Sequence, residues 1–231
     1  RAPKVDPRQP AGRPAGGVPG AGLVPGSPAS FSGAPVIHSS MLARPQVAIS
    51  QVRTMKPDTP DVRLLDQVVA PRVLHAMRVI SAEYKRMGIK HALVGGLAIG
   101  AQGWPRATRG VDFLVDDKAF ERRPGGLVLL RVPFEVEGVP VDSIAAADDE
   151  TFLARARDAA VESDGIPILA IEALVYMKLK AWRLRDQVDV IELLKAGADE
   201  AACRTWLLEH APDTAPRFDT LAERARAELD A

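Results

Sequence analysis

Apolar positions first recur at three- and four-residue intervals. Leu64, Leu65, Val68, Val69, Val73, Met77 and Ile80 fall on one helical stripe. Ahead of them, Thr59 suits an N-cap, Pro60 a first helical position and Asp61 an acidic first turn. Pro71 is expected to kink that helix or split it in two, and Gly88 to end it. The period then shortens. His91, Ala92, Leu93 and Val94 predict a short strand closed by Gly95-Gly96, and residues 97–102 a compact helix. Further strands are expected at 111–115, 127–132 and 139–144. From Asp148 onward the spacing is helical, interrupted by an extended piece at 166–169. The last helix carries Phe218, Leu221, Ala222, Ala225 and Leu229 on one face, as a helix packed on its own domain would. Together these elements predict an α+β fold, a small mixed sheet flanked by helices with a helical C-terminal half. No internal repeat is present.

Composition divides this picture. The chain has 231 residues, with 30 basic and 30 acidic side chains. Residues 1–60 hold 11 of the 19 prolines and 7 of the 18 glycines, and carry a net charge of +5 against −5 for the remainder. A stretch such as Arg13-Pro14-Ala15-Gly16-Gly17-Val18-Pro19-Gly20 buries too little apolar surface to offset its ordering entropy. Residues 1–57 are therefore expected to be a disordered tail, and 58–231 the folded domain. The tail lacks the apolar core of a secretory signal, and no uninterrupted run of 18 apolar residues occurs, so a cytoplasmic location is expected. A single cysteine, Cys203, excludes a disulfide scaffold and reads as a core thiol. The four histidines show no metal-ligand spacing, and no serine-hydrolase elbow or kinase signature is present.

Two windows carry candidate chemistry. In the first, a strand runs into Gly95-Gly96 and a helix, which exposes backbone N–H groups suited to phosphate or simply makes a tight turn. The spacing matches neither the dinucleotide fingerprint nor the P-loop. Asp112 lies among Val111, Phe113, Leu114 and Val115, where an acid calls for a cation or caps the next turn. In the second window, Ile171, Leu174, Val175, Lys178, Leu179 and Trp182 share a helical stripe. Lys178 on that face either snorkels to the edge or meets an anion. Asp186 and Asp189 continue the stripe of Val190, Leu193 and Leu194. They face inward, or join Arg183 and Arg185 in an ion-pair network between two helices.

These residues resemble the minimal nucleotidyltransferases of the polymerase-beta-like superfamily, above all the type IV abortive-infection toxin group and its bacterial relatives. That pattern has a Gly-Gly after the first strand, matched by Gly95 and Gly96, then an Arg-x-Thr lead-in, matched by Arg106 and Thr108. Its second acid matches Asp112, and its third, on a later strand, matches Asp142. A helical Glu-x-Leu-x-x-x-Lys pattern with a following Arg-Asp-x-x-Asp matches Glu172, Leu174, Lys178, Arg185, Asp186 and Asp189. The first acid departs: Gly110 stands in its place. The resemblance implies that Gly95, Gly96, Arg106, Thr108 and Lys178 bind the nucleoside triphosphate (NTP). It further implies that Asp112 and Asp142 are catalytic and hold magnesium or manganese. A nucleoside monophosphate would pass to a hydroxyl of a protein or RNA. With Gly110 in the first position, the alternative is a catalytically impaired nucleotide-binding or interaction module, for example beside a cognate partner in a toxin–antitoxin pair. Asp116 and Asp117 lie too far along the strand to replace the missing carboxylate.

Overall fold

A computed structural model describes residues 57–231 apart from 125 and 127. The expectation of disorder over 1–57 lies outside these residues, Pro57 excepted. The chain enters through a single 3-10 turn, Val62–Leu65, whose first N–H groups are met by Asp61: its carboxylate accepts from the Arg63 amide at 2.9 Å. Thr59 and Pro60 therefore cap no helix. The first long helix, α1 (Pro71–Arg86), begins at Pro71 itself. The proline does not kink this helix, because a first-turn residue needs no N–H donor and the ring presets φ for the helix; the expected stripe is instead split ahead of it, into the 3-10 turn and α1. Gly88, at φ +63°, ends it as expected.

Strand β1 (His91–Val94) leads into the short helix α2 (Gly95–Ala101). After a loop comes β2 (Val111–Val115), then a separate hairpin of β3 (Phe120–Arg122) and β4 (Val128–Leu130). Strands β5 (Glu135–Val136) and β6 (Val139–Ala145) follow, then α3 (Thr151–Asp158) and the hairpin of β7 (Val161–Ser163) and β8 (Ile166–Ile168). The main sheet is six-stranded, in the order β5-β6-β2-β1-β8-β7. It is mixed: β1 pairs antiparallel with β2 and parallel with β8, while β2 pairs parallel with β6. The strand expected at 127–132 is thus no part of the main sheet. Its described part pairs locally with β3, and the edge beside β6 is filled by β5 through the two-residue turn Glu137-Gly138.

One face of the sheet is sealed by α1. Tyr84 of that helix is fully buried, stacks edge-on against Phe113 at 5.4 Å between ring centroids, and bonds Ser143 Oγ through its hydroxyl at 2.6 Å. Side chains alternate along a strand, so Phe113 and Ser143 face α1 while Asp112 and Asp142 face away from it. The C-terminal half is helical, with α4 (Ile171–Ala181), α5 (Leu184–Lys195), α6 (Glu200–His210) and α7 (Ala215–Leu229). Phe218, Leu221, Ala222 and Ala225 are buried where α7 meets α5 and α6, so the last helix packs on its own domain. Cys203 is buried in α6. No helix among the described residues is long and apolar enough to cross a membrane.

Candidate functional site

The site forms where β1 ends, β2 begins and β6 runs alongside. Parallel pairing of β2 with β6 sets Asp112 directly opposite Asp142. Register partners project from the same face, so the two carboxylates stand on neighbouring strands that are about 4.8 Å apart. Antiparallel pairing with β1 sets Asp112 opposite Val94, beside the turn into α2. Gly95 occupies that turn at φ +64°, and a Cβ there would lie 1.9 Å from Asp112 Oδ2. Both the backbone conformation and the space demand glycine. Gly96 follows: a Cβ on it would lie 3.2 Å from an Arg106 guanidinium nitrogen and 3.2 Å from Thr108 Oγ1. The glycine pair is where the α2–β2 loop folds back over the start of α2.

Arg106 is held from the other side. Its Nε and one terminal nitrogen donate to the two oxygens of Asp189 at 2.6 and 2.8 Å. Asp189, wholly buried on α5, also meets the Lys178 ammonium of α4 at 2.8 Å. That ammonium donates to Asp186 as well, at 2.9 Å. Asp186 closes the chain by accepting from Arg183 Nε at 2.7 Å and from the Arg183 amide at 3.2 Å, which caps α5. Burial pushes the Asp186 carboxyl up, but the hydrogen bonds from Arg183 and Lys178 outweigh it and hold the group below the usual carboxylate range. Of the two readings of the aspartates, the structure has both at once: they face inward and they form an ion-pair network. It joins the α2–β2 loop, α4 and α5. Arg185 has no part in it; Arg106 and Lys178 do.

Asp112 behaves in the opposite way. Its carboxyl is pushed up, first by burial and then by the charge of Asp142; Lys178, Arg183 and Arg106 pull it down without reversing the shift. Among the described residues, no group donates a hydrogen bond to Asp112 or Asp142, and neither forms an ion pair. Asp112 is half-buried and Asp142 exposed, so the cost falls on Asp112, and a carboxylate pair open to solvent on one side suits a hard divalent cation. Magnesium takes one or two carboxylates and completes its shell with water and phosphate oxygens, so the pair could hold one such ion. Among the described residues, a second ion lacks ligands. Gly110 provides none, and the described residues contain no grouping of three or more acidic, histidine or cysteine side chains able to hold a metal. A Cβ at Gly110 would stand 3.2 Å from the Pro140 carbonyl oxygen, tight but admissible, and φ there is not positive.

All seven residues singled out in the sequence therefore converge. Asp112 lies against Gly95 and opposite Asp142, Gly96 lies against Arg106 and Thr108, and Lys178 joins through Asp189. Nothing in the local pattern links Arg106 to Asp189, because the pair is 83 residues apart.

No model of a protein family matches this sequence, and no curated protein matches it. Among solved structures, an antigenic nucleotidyltransferase-like protein from Paracoccidioides brasiliensis is similar at 14% identity and a TM-score of 0.36, over 66% of this chain and 94% of that one.

Proposed function

We propose that this chain is a nucleotidyltransferase-like protein that binds an NTP with one magnesium or manganese ion at Asp112 and Asp142. It passes the nucleoside monophosphate to a hydroxyl of a protein or RNA, with the hydroxyl oxygen bonding the α-phosphorus as the α–β anhydride breaks and pyrophosphate and the hydroxyl proton leave, at a rate held down by Gly110. One observation carries this reading: two carboxylates in strand register, without a donor among the described residues, beside a glycine turn and within reach of the charge of three basic side chains. Gly95 lets the Asp112 carboxylate lie against the backbone of the turn. Asp189 and Asp186 fix Arg106, Lys178 and Arg183 on the side of the site that would receive phosphate. The ion supplies charge neutralisation and orientation of the phosphoryl group when bound. A missing carboxylate at position 110 weakens both. By analogy with the loss of one preorganised charge-stabilising group, the cost is on the order of 10²–10³ in rate.

A second reading, a nucleotide-binding or interaction module without transfer, is favoured by the engagement of Lys178 and Arg106 with buried aspartates. Calorimetry with each NTP, with and without magnesium, followed by labelled NTP offered to lysate protein and tRNA, separates the two. Metal-dependent binding with slow labelling, accelerated by Gly110→Asp, supports the transferase. Binding without product from the native chain, but with product from Gly110→Asp, supports the module. No binding by either chain removes both readings.

A further inference from the structure

Lys178 is the basic residue that the sequence pattern assigns to the triphosphate, yet its ammonium is buried between two carboxylates. It lies 2.9 Å from Asp186 and 2.8 Å from Asp189, with its side chain 10% exposed. An ammonium has three donors, and two of them are committed to charged partners. Arg106 is committed in the same way, through a bidentate pair to Asp189 with its side chain 20% exposed. Moving either toward a phosphate would strip a counter-charge from a fully buried aspartate, a costly exchange.

Arg183 differs in each respect. Its side chain is 77% exposed. Its Nε donates to Asp186 at 2.7 Å, one terminal nitrogen reaches the same carboxylate only at 3.4 Å, and the other has no protein partner among the described residues. Its place is fixed by the backbone. Trp182 adopts the left-handed conformation at φ 52°, which breaks α4 from α5 and turns Arg183 into the N-cap of α5. If the guanidinium swings away, Asp186 keeps Lys178 at 2.9 Å and the Arg183 amide at 3.2 Å, so the network survives its departure. Arg183 also lies close enough to Asp112 for each charge to act on the other. A guanidinium with free, exposed donors suits phosphate oxygens better than a buried ammonium does.

We propose that Arg183, rather than Lys178, is the side chain that takes the polyphosphate of the bound nucleotide, and that Lys178 acts as a positioning residue holding Asp186 and Asp189 in place. This rests on the NTP-binding reading above. Arg183→Gln and Arg183→Lys are the informative variants, since an exposed side chain can be changed without opening the core. Binding of each NTP, the matching nucleoside monophosphate and inorganic tripolyphosphate, all with magnesium, is measured by calorimetry well below each variant's unfolding midpoint. Arg183→Gln is expected to weaken NTP and tripolyphosphate binding at least tenfold while changing monophosphate binding less than threefold, with partial recovery in Arg183→Lys. Equal NTP affinity in the native chain and Arg183→Gln overturns the assignment, as does an equal loss for NTP and monophosphate. Absence of NTP binding by the native chain instead refutes the underlying reading of the site. Lys178→Gln, if folded by circular dichroism, is expected to lower the urea midpoint. A loss of NTP affinity in Lys178→Gln with an unchanged midpoint returns the triphosphate contact to Lys178 and refutes the proposal.

Discussion

Replacing Gly95 by alanine tests whether the turn after β1 is built around the Asp112 carboxylate. Two costs are separable there. The first is conformational: alanine at φ +64° carries the left-handed penalty, about 1–2 kcal/mol. The second is steric. The new methyl would meet Asp112 Oδ2 at 1.9 Å, Cγ at 2.7 Å and Cβ at 3.0 Å, so rotating the carboxylate away relieves only part of the contact and β2 must also move. Overpacking of this kind costs about 1–3 kcal/mol, which brings the expected loss to roughly 2–5 kcal/mol. Gly88 isolates the first cost, because it has nearly the same φ, +63°, and nothing within 4 Å of its would-be Cβ. Gly88→Ala is expected to lose only about 1–2 kcal/mol. Urea unfolding of both variants reads the difference. A double variant, Gly95→Ala with Asp112→Ala, removes the two closest contacts and should recover at least about 1 kcal/mol relative to additivity. Equal losses at Gly95 and Gly88 would refute the claim that Asp112 is seated against the turn.

Asp189→Ala is expected to cost about 3–5 kcal/mol in urea unfolding, because it leaves Arg106 without its bidentate partner and Lys178 with one carboxylate instead of two; a loss below about 1 kcal/mol would mean the network contributes little. His91, buried and bonded to Ser81 Oγ at 2.8 Å and to the Ile89 carbonyl at 3.1 Å, has its pKa lowered by burial, against the pull of the backbone hydrogen bond. The unfolded chain therefore protonates first. Stability is intact above about pH 6.5 and falls as pH drops toward the folded value, by at most about 1.4 kcal/mol per pH unit from this group. His91→Gln should flatten that fall between pH 7 and 5, and an unchanged slope would assign it elsewhere. Asp112→Asn acts in the other direction. A carboxyl raised by burial and by Asp142 weighs against the fold once ionised, so at pH 7.5 the asparagine variant should unfold at a higher urea concentration than the native chain. That gain should shrink as pH falls through the raised value, and magnesium should raise the melting temperature of the native chain more than that of the variant.

The central strands were legible in the sequence because β1 and β2 are short, mostly apolar runs bounded by glycine, Gly95 after β1 and Gly110 before β2. Their pairing was not. The apolar segment near 128–130 looks like any other strand, but it joins β3 locally, and closing a short loop costs less entropy than reaching the sheet edge. At that edge, Glu137-Gly138 makes a two-residue turn with both φ angles positive, at 50° and 76°, and brings β5 onto β6. Asp164-Gly165 does the same between β7 and β8, a dipeptide signal for a hairpin that the helical pattern around it obscured. Periodicity put Lys178, Asp186 and Asp189 on inward faces. It could not supply their partners, because a helical stripe fixes which side a charge faces but not which distant loop meets it. Arg185 was misassigned for the same reason: one step along the helix from Asp186, it points about 100° away.

The arrangement of charge gives Gly110 a physical meaning beyond a lost ligand. Position 110 lies two residues before Asp112, so a carboxylate there would project from the same face of the sheet. That face already carries two acids with no donor from the described residues. The nearby cations bring little relief, since Arg106, Lys178 and Arg183 are each engaged with Asp186 or Asp189, and three positive charges face four negative ones. A third acid would therefore deepen the repulsion that raises Asp112 and make the fold without metal still more dependent on a cation. Glycine removes that load and also avoids the tight approach to the Pro140 carbonyl. Stability of the metal-free fold and strength of a divalent-cation site pull in opposite directions at this one position. The residue present favours the fold, at the expense of the cation site that the proposed transfer requires.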